Sequence, residues 1–460
     1  MGKGHSAINA LNAFDPRQEV YAMDLPEYVT TCIDALEGAG FAAYAVGGCV
    51  RDSLLGLVPA DFDLCTAALP EETEAVFRDR KLVLAGKKHG TVGVVTDGGV
   101  VEITTFRTEG DYRDNRHPEW VKFVDDITGD LARRDFTVNA MAWSPRRGFA
   151  DPFGGRADLK NGILRAVGDP EQRFREDSLR ILRGARFAAK YHLTPDPATE
   201  EAMASLAHLM DNLARERVFD ELCKLLLVCG ATDLVHFAPV VTAAIPELAP
   251  TVGFCQHNPH HIHDVYGHTA RVVEGVPRTP ALRWAALLHD AGKPATFTRD
   301  ENGRGHFYGH PKVSADMADA ILRRLKAPTA LREQAVFLID RHMVTLEPDR
   351  KLLRRRLSQY GVENVQMLLA LQRADFGGKG VDDAEEARYF RSIADALAEV
   401  LAEESCLKLR DLAVNGRDLM ELGLTGRAIG ACLQYLLDQV LDEKLPNEKE
   451  ALLQAAGKLL

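Results

Sequence analysis

The sequence predicts an α+β chain, with a mixed α/β head over residues 23–150 and helical parts to the end. Three observations carry this. β-rich runs are confined to the first third of the chain. From residue 170 onward, apolar residues recur mostly at helical spacing. Between the two, Asp151-Pro152-Phe153-Gly154-Gly155 interrupts both patterns with turn chemistry. With 460 residues and 46% hydrophobic content, the chain can bury several cores.

Taken in order, residues 1–22 are polar and rich in small residues, with no apolar signal core, and are expected to be flexible. Residues 25–40 read as an amphipathic helix ended by glycine, and residues 41–46 as a strand. A paired-glycine turn opens Gly47-Gly48-Cys49-Val50-Arg51-Asp52, and Asp61-Phe62-Asp63 follows. Glycine lets the backbone approach a phosphate closely, and its N–H groups can line an anion site. On a strand, Asp61 and Asp63 share a face. Two convergent carboxylates suit Mg2+ bound to a nucleotide triphosphate. Residues 91–96 and 100–106 form a hairpin pattern around Asp97-Gly98-Gly99, and Glu102 on its second strand can approach the aspartates as a third ligand.

Two further segments carry groups suited to a nucleotide. In Arg133-Arg134-Asp135-Phe136-Thr137-Val138-Asn139-Ala140, arginine offers a fork of donors for triphosphate oxygens, and Asn139 can bond a ribose or phosphate. The glycines of the 151–155 break suit a hinge. If Glu176-Asp177-Ser178-Leu179-Arg180 is helical, Glu176, Asp177 and Arg180 lie near one face, with Arg183 a turn further on. Carboxylate and guanidinium together complement the pairing edge of a base.

A second constellation runs through the helical part: His268, His289-Asp290, His310, His342 and Asp375. Imidazole with carboxylate suits Zn2+, Ni2+, Mn2+ or iron, and a bridging aspartate can hold two ions. His257, His260, His261 and His263 precede it, as a lid, as substrate contacts or as a solvated turn. Lys293 can pair with a phosphate.

The formal net charge is −11, which runs against a nucleic-acid partner unless charge is local. Basic clusters do occur, at residues 173–190 and 350–356. The eight cysteines form no Cys-x-x-Cys pair, which argues against a disulfide frame or structural zinc and for reduced thiols in a cytoplasmic protein. No run of 18 apolar residues occurs, so no membrane span is expected.

On Gly47-Gly48 with Asp61 and Asp63, on residues 133–140 and on Glu176-Asp177-x-x-Arg180, the chain resembles the class II tRNA nucleotidyltransferases, the CCA-adding enzymes and their poly(A) polymerase relatives. That resemblance implies a nucleotidyltransferase head (23–150), a helical neck (151–250) and a tRNA-binding tail (381–460), acting on tRNA with CTP and ATP. Asp61 and Asp63 would be catalytic and hold Mg2+ with Glu102. Gly47, Gly48, Arg51, Arg134, Asp135, Asn139, Glu176, Asp177, Arg180 and Arg183 would bind the nucleotide, with Glu176, Asp177 and Arg180 as the template for its base. The loop at 107–120, with Glu109, Asp111 and Arg113, resembles the one used to switch from C to A. Residues 412–419 and 425–430 resemble the tail segment that grips tRNA. Ala286-Leu287-Leu288-His289-Asp290-Ala291-Gly292-Lys293 resembles the HD phosphohydrolase signature, implying a fused domain (251–380) with His268, His289, Asp290, His310, His342 and Asp375 as ligands of Mn2+, Ni2+ or Zn2+. Competing readings are a poly(A) polymerase or an enzyme adding only CC or A, a phosphohydrolase whose head merely binds RNA, and a non-catalytic RNA-binding protein.

Overall fold

The computed structural model describes residues 23–110, 121–257, 262–378, 384–403 and 406–459. The chain gathers into two compact units, Met1–Cys229 with His236–Pro246, and Gly230–Val235 with Glu247–Leu460.

The first unit is built on a seven-stranded sheet of order β3-β4-β5-β2-β1-β8-β9. Its strands are β1 (Ala43–Val46), β2 (Asp63–Thr66), β3 (Leu82–Val83), β4 (Thr91–Thr96), β5 (Gly99–Thr105), β8 (Ala142–Ser144) and β9 (Gly148–Ala150). Between them in sequence, β6 (Arg107–Glu109) and β7 (Val121–Phe123) pair as a separate ribbon. The segment they bracket, with Asp111 and Arg113, lies outside the described residues. Strand β2 runs antiparallel to β1 and parallel to β5, with Asp63 opposite Glu102. The β4–β5 hairpin turns on Asp97 and Gly98, with Thr96 paired to Gly99. Helix α1 (Glu27–Gly38) buries Val29, Cys32, Ile33 and Leu36, and Val46, Cys65, Phe106, Leu131 and Ala142 form a core within the unit.

Beyond the sheet come α3 (Pro170–Glu176), α4 (Leu179–Tyr191) and α5 (Arg215–Val228); α2 (Gly48–Leu54) lies earlier, after the paired glycines. Phe136 joins the two parts. It is fully buried and meets Phe174 and Phe187 at ring-centroid distances of 6.4 and 6.0 Å. Gly184 faces it, where a Cβ would come within 3.0 Å of the Phe136 ring.

The 151–155 break is a clamp rather than the expected hinge. Asp151 accepts from the amides of Gly155 and Arg156 at 2.7 and 3.0 Å, and Thr137 Oγ1 donates to Asp158 at 2.7 Å. A Cβ on Gly155 would lie 2.1 Å from the Thr137 carbonyl oxygen, so this glycine is required by close backbone approach.

In the second unit, α6 (Val265–Gly275), α7 (Pro280–Leu288), α8 (His310–Arg324), α9 (Thr329–Arg341) and α11 (Val362–Gly377) pack together, with α10 (Arg350–Tyr360) alongside. The last segment has its own core of Leu412, Leu419, Leu436, Leu441 and Leu452. Three arginines of the basic cluster at 350–356 are matched by acidic partners at the surface: Arg354 pairs with Glu403 at 2.7 Å and with Glu443, Arg355 with Asp442 at 2.6 Å, and Arg350 with Glu403. All eight cysteines are free. Among the described residues no helix is long and apolar enough to cross a membrane.

Candidate functional site

A cleft of about 400 Å3 in the first unit is lined by Gly47, Gly48, Arg51, Asp63, Arg133, Arg134, Asp135, Asn139, Asp177, Arg180, Arg183, Phe187 and Arg217, among others. Strand β1 delivers the paired glycines. Gly47 has φ 75°, a conformation that favours glycine, and a Cβ there would sit 2.9 Å from the movable end of Arg134 at Nη1. The strand carrying the acidic pair begins at Asp63 and leaves Asp61 in the approach loop, not on a shared strand face as expected. Opposite Asp63 in parallel register stands Glu102, and in such a pair both side chains leave the same face of the sheet.

Asp63 is exposed at the head of its strand, with many protein atoms around it. Burial, then the carboxylates of Asp61 and Glu102, push its carboxyl up to about 6 against the pull of Arg134. Three mutually repelling carboxylates at a glycine turn fit a hard, oxygen-liganded cation, and the residues present match Mg2+ in donor type. They do not close into a compact set. Among the described residues, the donor groups lying within 4.8 Å of one another are in the second unit.

The arginine pair is braced from behind. Buried Asp130 accepts from Arg133 Nη2 at 2.9 Å and Arg134 Nη2 at 3.2 Å. Asp135 is a hub. Its carboxylate accepts from the Phe136 amide (2.9 Å), Asn139 Nδ2 (3.0 Å) and Arg183 Nη2 (2.6 Å). Burial alone would raise the Asp135 carboxyl, but the Arg183 guanidinium and the Asn139 amide hold it well below the usual carboxylate range. Asn139 Oδ1 in turn accepts from Arg51, whose guanidinium also pairs with Asp52 (2.7 Å) and lies 4.2 Å from the Tyr191 ring centroid. Arg51, Asp135, Asn139 and Arg183 thus bond one another while all four also line the cleft.

The segment 176–180 is not one helix. α3 ends at Glu176, Asp177 is extended at φ −142°, and α4 starts at Leu179. The break separates the expected trio into two pairs. Arg180 Nη1 donates to Glu176 (2.7 Å), and its Nη2 donates to the Arg133 carbonyl (2.9 Å). Asp177 pairs instead with Arg217 of α5 at 2.9 Å. Asp177 and Arg180 face the cleft, while Glu176 stands behind Arg180 and is absent from the wall. Phe187 is a wall residue that no sequence signal marked. Arg217 lies in the segment 215–224, which resembles the family's neck-closing helix with basic residues near the primer, and the packing of α5 on α4 brings it into the wall.

In the second unit the histidine–aspartate set converges. His268 lies in α6, His289 ends α7 with Asp290 next, His310 opens α8, His342 ends α9, and Asp375 lies near the end of α11. Their donor atoms form two groups, His268/His289/Asp375 and Asp290/His310/His342. His268 Nε2 is 3.0 Å from Asp375, and Asp290 lies 3.2 Å from His289 and 3.4 Å from His310. Three rings are oriented alike. Nδ1 of His289, His310 and His342 faces the carbonyl three residues earlier, of Ala286 (2.8 Å), Phe307 (2.8 Å) and Ile339 (2.6 Å). That contact places the proton on Nδ1 and leaves Nε2 as a lone-pair donor. His310 Nε2 and His342 Nε2 then face each other at 3.2 Å. Burial pushes the His342 imidazole down to about 4, favouring the neutral ligand form. Two facing lone pairs beside buried carboxylates fit a transition-metal cation. Lys293 Nζ pairs with Asp290 at 2.7 Å and donates to Gln256 Oε1 at 2.9 Å, an internal role where a phosphate contact was expected. Of the upstream histidines, His260 and His261 lie outside the described residues.

Comparison with known proteins follows this geometry. Residues 43–165 match the poly A polymerase head domain family, and residues 307–456 a family described as tRNA nucleotidyltransferase domain 2. Residues 192–236 match a family described as the probable RNA and SrmB-binding site of polymerase A. The CCA-adding enzyme of Levilactobacillus brevis is 34% identical over 433 residues, covering 93% of this chain and 97% of that one. That of Geobacillus stearothermophilus is 35% identical, covering 91% and 93%. A crystal structure of the Bacillus stearothermophilus CCA-adding enzyme in complex with CTP superposes with a TM-score of 0.73 at 29% identity, covering 94% and 97%. The Thermotoga maritima CCA-adding enzyme complexed with tRNA shares the fold at a TM-score of 0.57 and 21% identity.

Asp135 supports a pH test. Its carboxyl is depressed in the folded state, so its stabilisation is present above the ordinary carboxylate range and is lost as pH falls below about 4. Asp135→Asn should cost about 1–3 kcal/mol at pH 7, discounted because Arg183 is partly solvated. Urea unfolding at pH 7 and pH 3.5 checks this: the gap to the parent protein should narrow at the lower pH, and a constant gap would refute the assignment.

Proposed function

The chain belongs to the family of class II CCA-adding enzymes and their poly(A) polymerase relatives, and from that premise we propose that it adds CCA to the 3′ end of tRNA, using CTP and ATP, in the cytoplasm. The observation that carries this is one cleft holding the glycine turn, Asp63 beside Glu102, Arg134, and the Asp177–Arg217 and Arg180 groups. In this reading the triphosphate lies against Gly47, Gly48 and Arg134, and the primer end lies near Asp61 and Asp63. Asp61 and Asp63, with Glu102, would hold Mg2+, which supplies charge neutralisation at the α-phosphate and the leaving pyrophosphate. The carboxylates fix where the 3′-hydroxyl stands relative to phosphorus. Asp177 accepts from a base amino group, and Arg180 donates to ring acceptors. The scaffold of Arg51, Asp135, Asn139 and Arg183 keeps these groups in place. The division into head (23–150), neck (151–250), HD-like part (251–380) and tRNA-binding tail (381–460) belongs to the same proposal.

Asp61→Ala or Asp63→Ala should abolish incorporation into a tRNA lacking its terminal CCA, with tRNA binding by gel shift near that of the parent. Incorporation at the parent rate would remove the carboxylates from the chemistry. The same assay separates full addition from its rivals: three residues with CTP and ATP, against a long A ladder or a truncated product. Arg180→Ala should raise misincorporation of GTP and UTP relative to CTP and ATP by about tenfold or more, since leaving a buried group unpaired is what rejects a wrong edge. An equal slowing with all four nucleotides would make Arg180 a structural residue only.

A second activity is supported by the six converging donors of the second unit. On this reading it is an HD-type hydrolase of phosphomonoesters or 2′,3′-cyclic phosphates. His268, His289, Asp290, His310, His342 and Asp375 would hold Mn2+, Ni2+ or Zn2+, which activates a water for attack on phosphorus. The water oxygen bonds to phosphorus, the P–O3′ ester bond breaks, and the released 3′-oxygen takes up the proton; from a cyclic phosphate this frees the 3′-hydroxyl and leaves a 2′-phosphomonoester, which a second hydrolysis of the same kind releases as inorganic phosphate. With Mn2+ or Ni2+, cyclic-phosphate-ended tRNA should become extendable by CTP and ATP. Replacing His289 and Asp290 should block that rescue while sparing addition to a free 3′-hydroxyl. Rescue at the parent rate by the doubly substituted protein would refute the assignment.

A further inference from the structure

Beside the His/Asp cluster stands an aromatic surface that none of the proposed metal chemistry uses. Thr298–Arg299 and Gly305–His306 form a two-stranded ribbon, and Phe307 and Tyr308 follow it. Their side chains go opposite ways. Phe307 lies inward, with Lys293 Nζ 5.3 Å from its ring centroid. Tyr308 is 77% exposed, an uncommon position for so large a ring. It is nevertheless held: its ring lies parallel to that of His306, with centroids 5.3 Å apart and planes 6° apart. The imidazole is fixed in turn. His306 Nε2 contacts Asp300 Oδ2 at 3.0 Å, and Asp300 Oδ1 accepts from the amides of Asn302 and Arg304 at 3.0 and 2.9 Å.

This shelf is tied to the cluster by two routes. Along the chain, Gly309 at φ 77° turns from Tyr308 into His310, and two residues span at most about 7 Å. Across the ribbon, the Gly305 amide donates to the His257 carbonyl at 3.0 Å, and a Cβ on Gly305 would lie 2.2 Å from the Gln256 carbonyl oxygen. Gln256 then binds Lys293, which pairs with Asp290.

Resting on the hydrolase reading above, we propose that Tyr308, stacked on His306, is the subsite for the nucleobase of the nucleotide whose phosphate the His/Asp cluster holds. Every base has a π-face that stacks on an aromatic ring, and a ring already held in place loses little freedom on binding. Tyr308 stands two residues from the cluster residue His310, a chain span of at most about 7 Å, which is of the order of the reach from a terminal phosphate across its ribose to the base. The substrate class is therefore a base-bearing ribose 2′,3′-cyclic or terminal phosphate, not a small phosphate ester without a base.

The test uses the full chain with Mn2+ and three probes: 2′,3′-cyclic CMP, a cyclic-phosphate-ended tRNA, and base-free glycerol 1,2-cyclic phosphate. Tyr308→Ala should raise KM for cyclic CMP about tenfold or more. Tyr308→Phe should stay near the parent, and neither change should alter turnover of the glycerol ester or addition of CCA. A matching rise on the tRNA assigns the shelf to an RNA end; a rise on cyclic CMP alone assigns it to a free nucleotide. An unchanged KM for both, or an equal loss on the glycerol ester, overturns the subsite. If the parent protein hydrolyses none of the three, the hydrolase reading fails. Calorimetric titration of cyclic CMP into the parent and Tyr308→Ala then decides the shelf, the head contributing equally to both. Tenfold weaker binding in the variant supports it, and identical binding refutes it.

Discussion

The first unit depends on the Asp135 carboxylate. It accepts from the Phe136 amide and the Asn139 side chain of its own segment and from Arg183 of α4, so one buried charge ties two pieces of chain together. A buried carboxylate is tolerable only when its lone pairs are met by donors, and here both oxygens are. Arg51 extends the network through Asn139 to Tyr191. The nucleotide cleft inherits its shape from this lattice, because the glycine turn, the arginine pair and the start of α4 have no freedom to move apart without breaking it. Phe136, the residue after Asp135, adds the apolar counterpart of the same joint.

The two candidate metal sites show opposite solutions to assembling donors. In the head, carboxylates come from a strand edge and a loop, stay partly wet, and lack a closed geometry until something bridges them. In the helical unit the imidazoles come from helices, and for His289, His310 and His342 the carbonyl three residues back orients the ring. At the C-terminal ends that carry His289 and His342 the last carbonyls lack helical amide partners further along, so the backbone itself can set the tautomer. The donor types sort the expected ions in the same way, with hard oxygen for Mg2+ and borderline nitrogen for a transition metal.

Much of this was legible from residues alone. The α+β plan, the glycine turn and the β4–β5 hairpin are local patterns, and local patterns survive folding; the histidine–aspartate set, spread from 268 to 375, was joined by resemblance and converges only in the fold. The misreadings share a cause. Helical spacing joined Glu176, Asp177 and Arg180 on one face, but Asp177 takes an extended conformation and finds Arg217, which is forty residues away. The arginines at 350–356 looked like an RNA surface, yet Glu403, Asp442 and Glu443 meet them. Glycines at 154 and 155 suggested a hinge until the Thr137 carbonyl filled the space beside Gly155. In each case the deciding partner was distant in sequence, and periodicity carries no information about such partners.

Strand β2 lies between an antiparallel and a parallel neighbour, and past Asp63 both of its faces are buried, with Leu64, Cys65 and Thr66 each no more than 1% exposed. A strand buried on both sides has no alternative register that keeps its apolar atoms covered. Adding or removing one residue within it would turn the acidic residue into the core or expel a core side chain. Length variation among relatives should therefore fall in the loop before Asp63 or the turn after Thr96, and the four positions from Asp63 to Thr66 should remain free of insertions and deletions over evolutionary time.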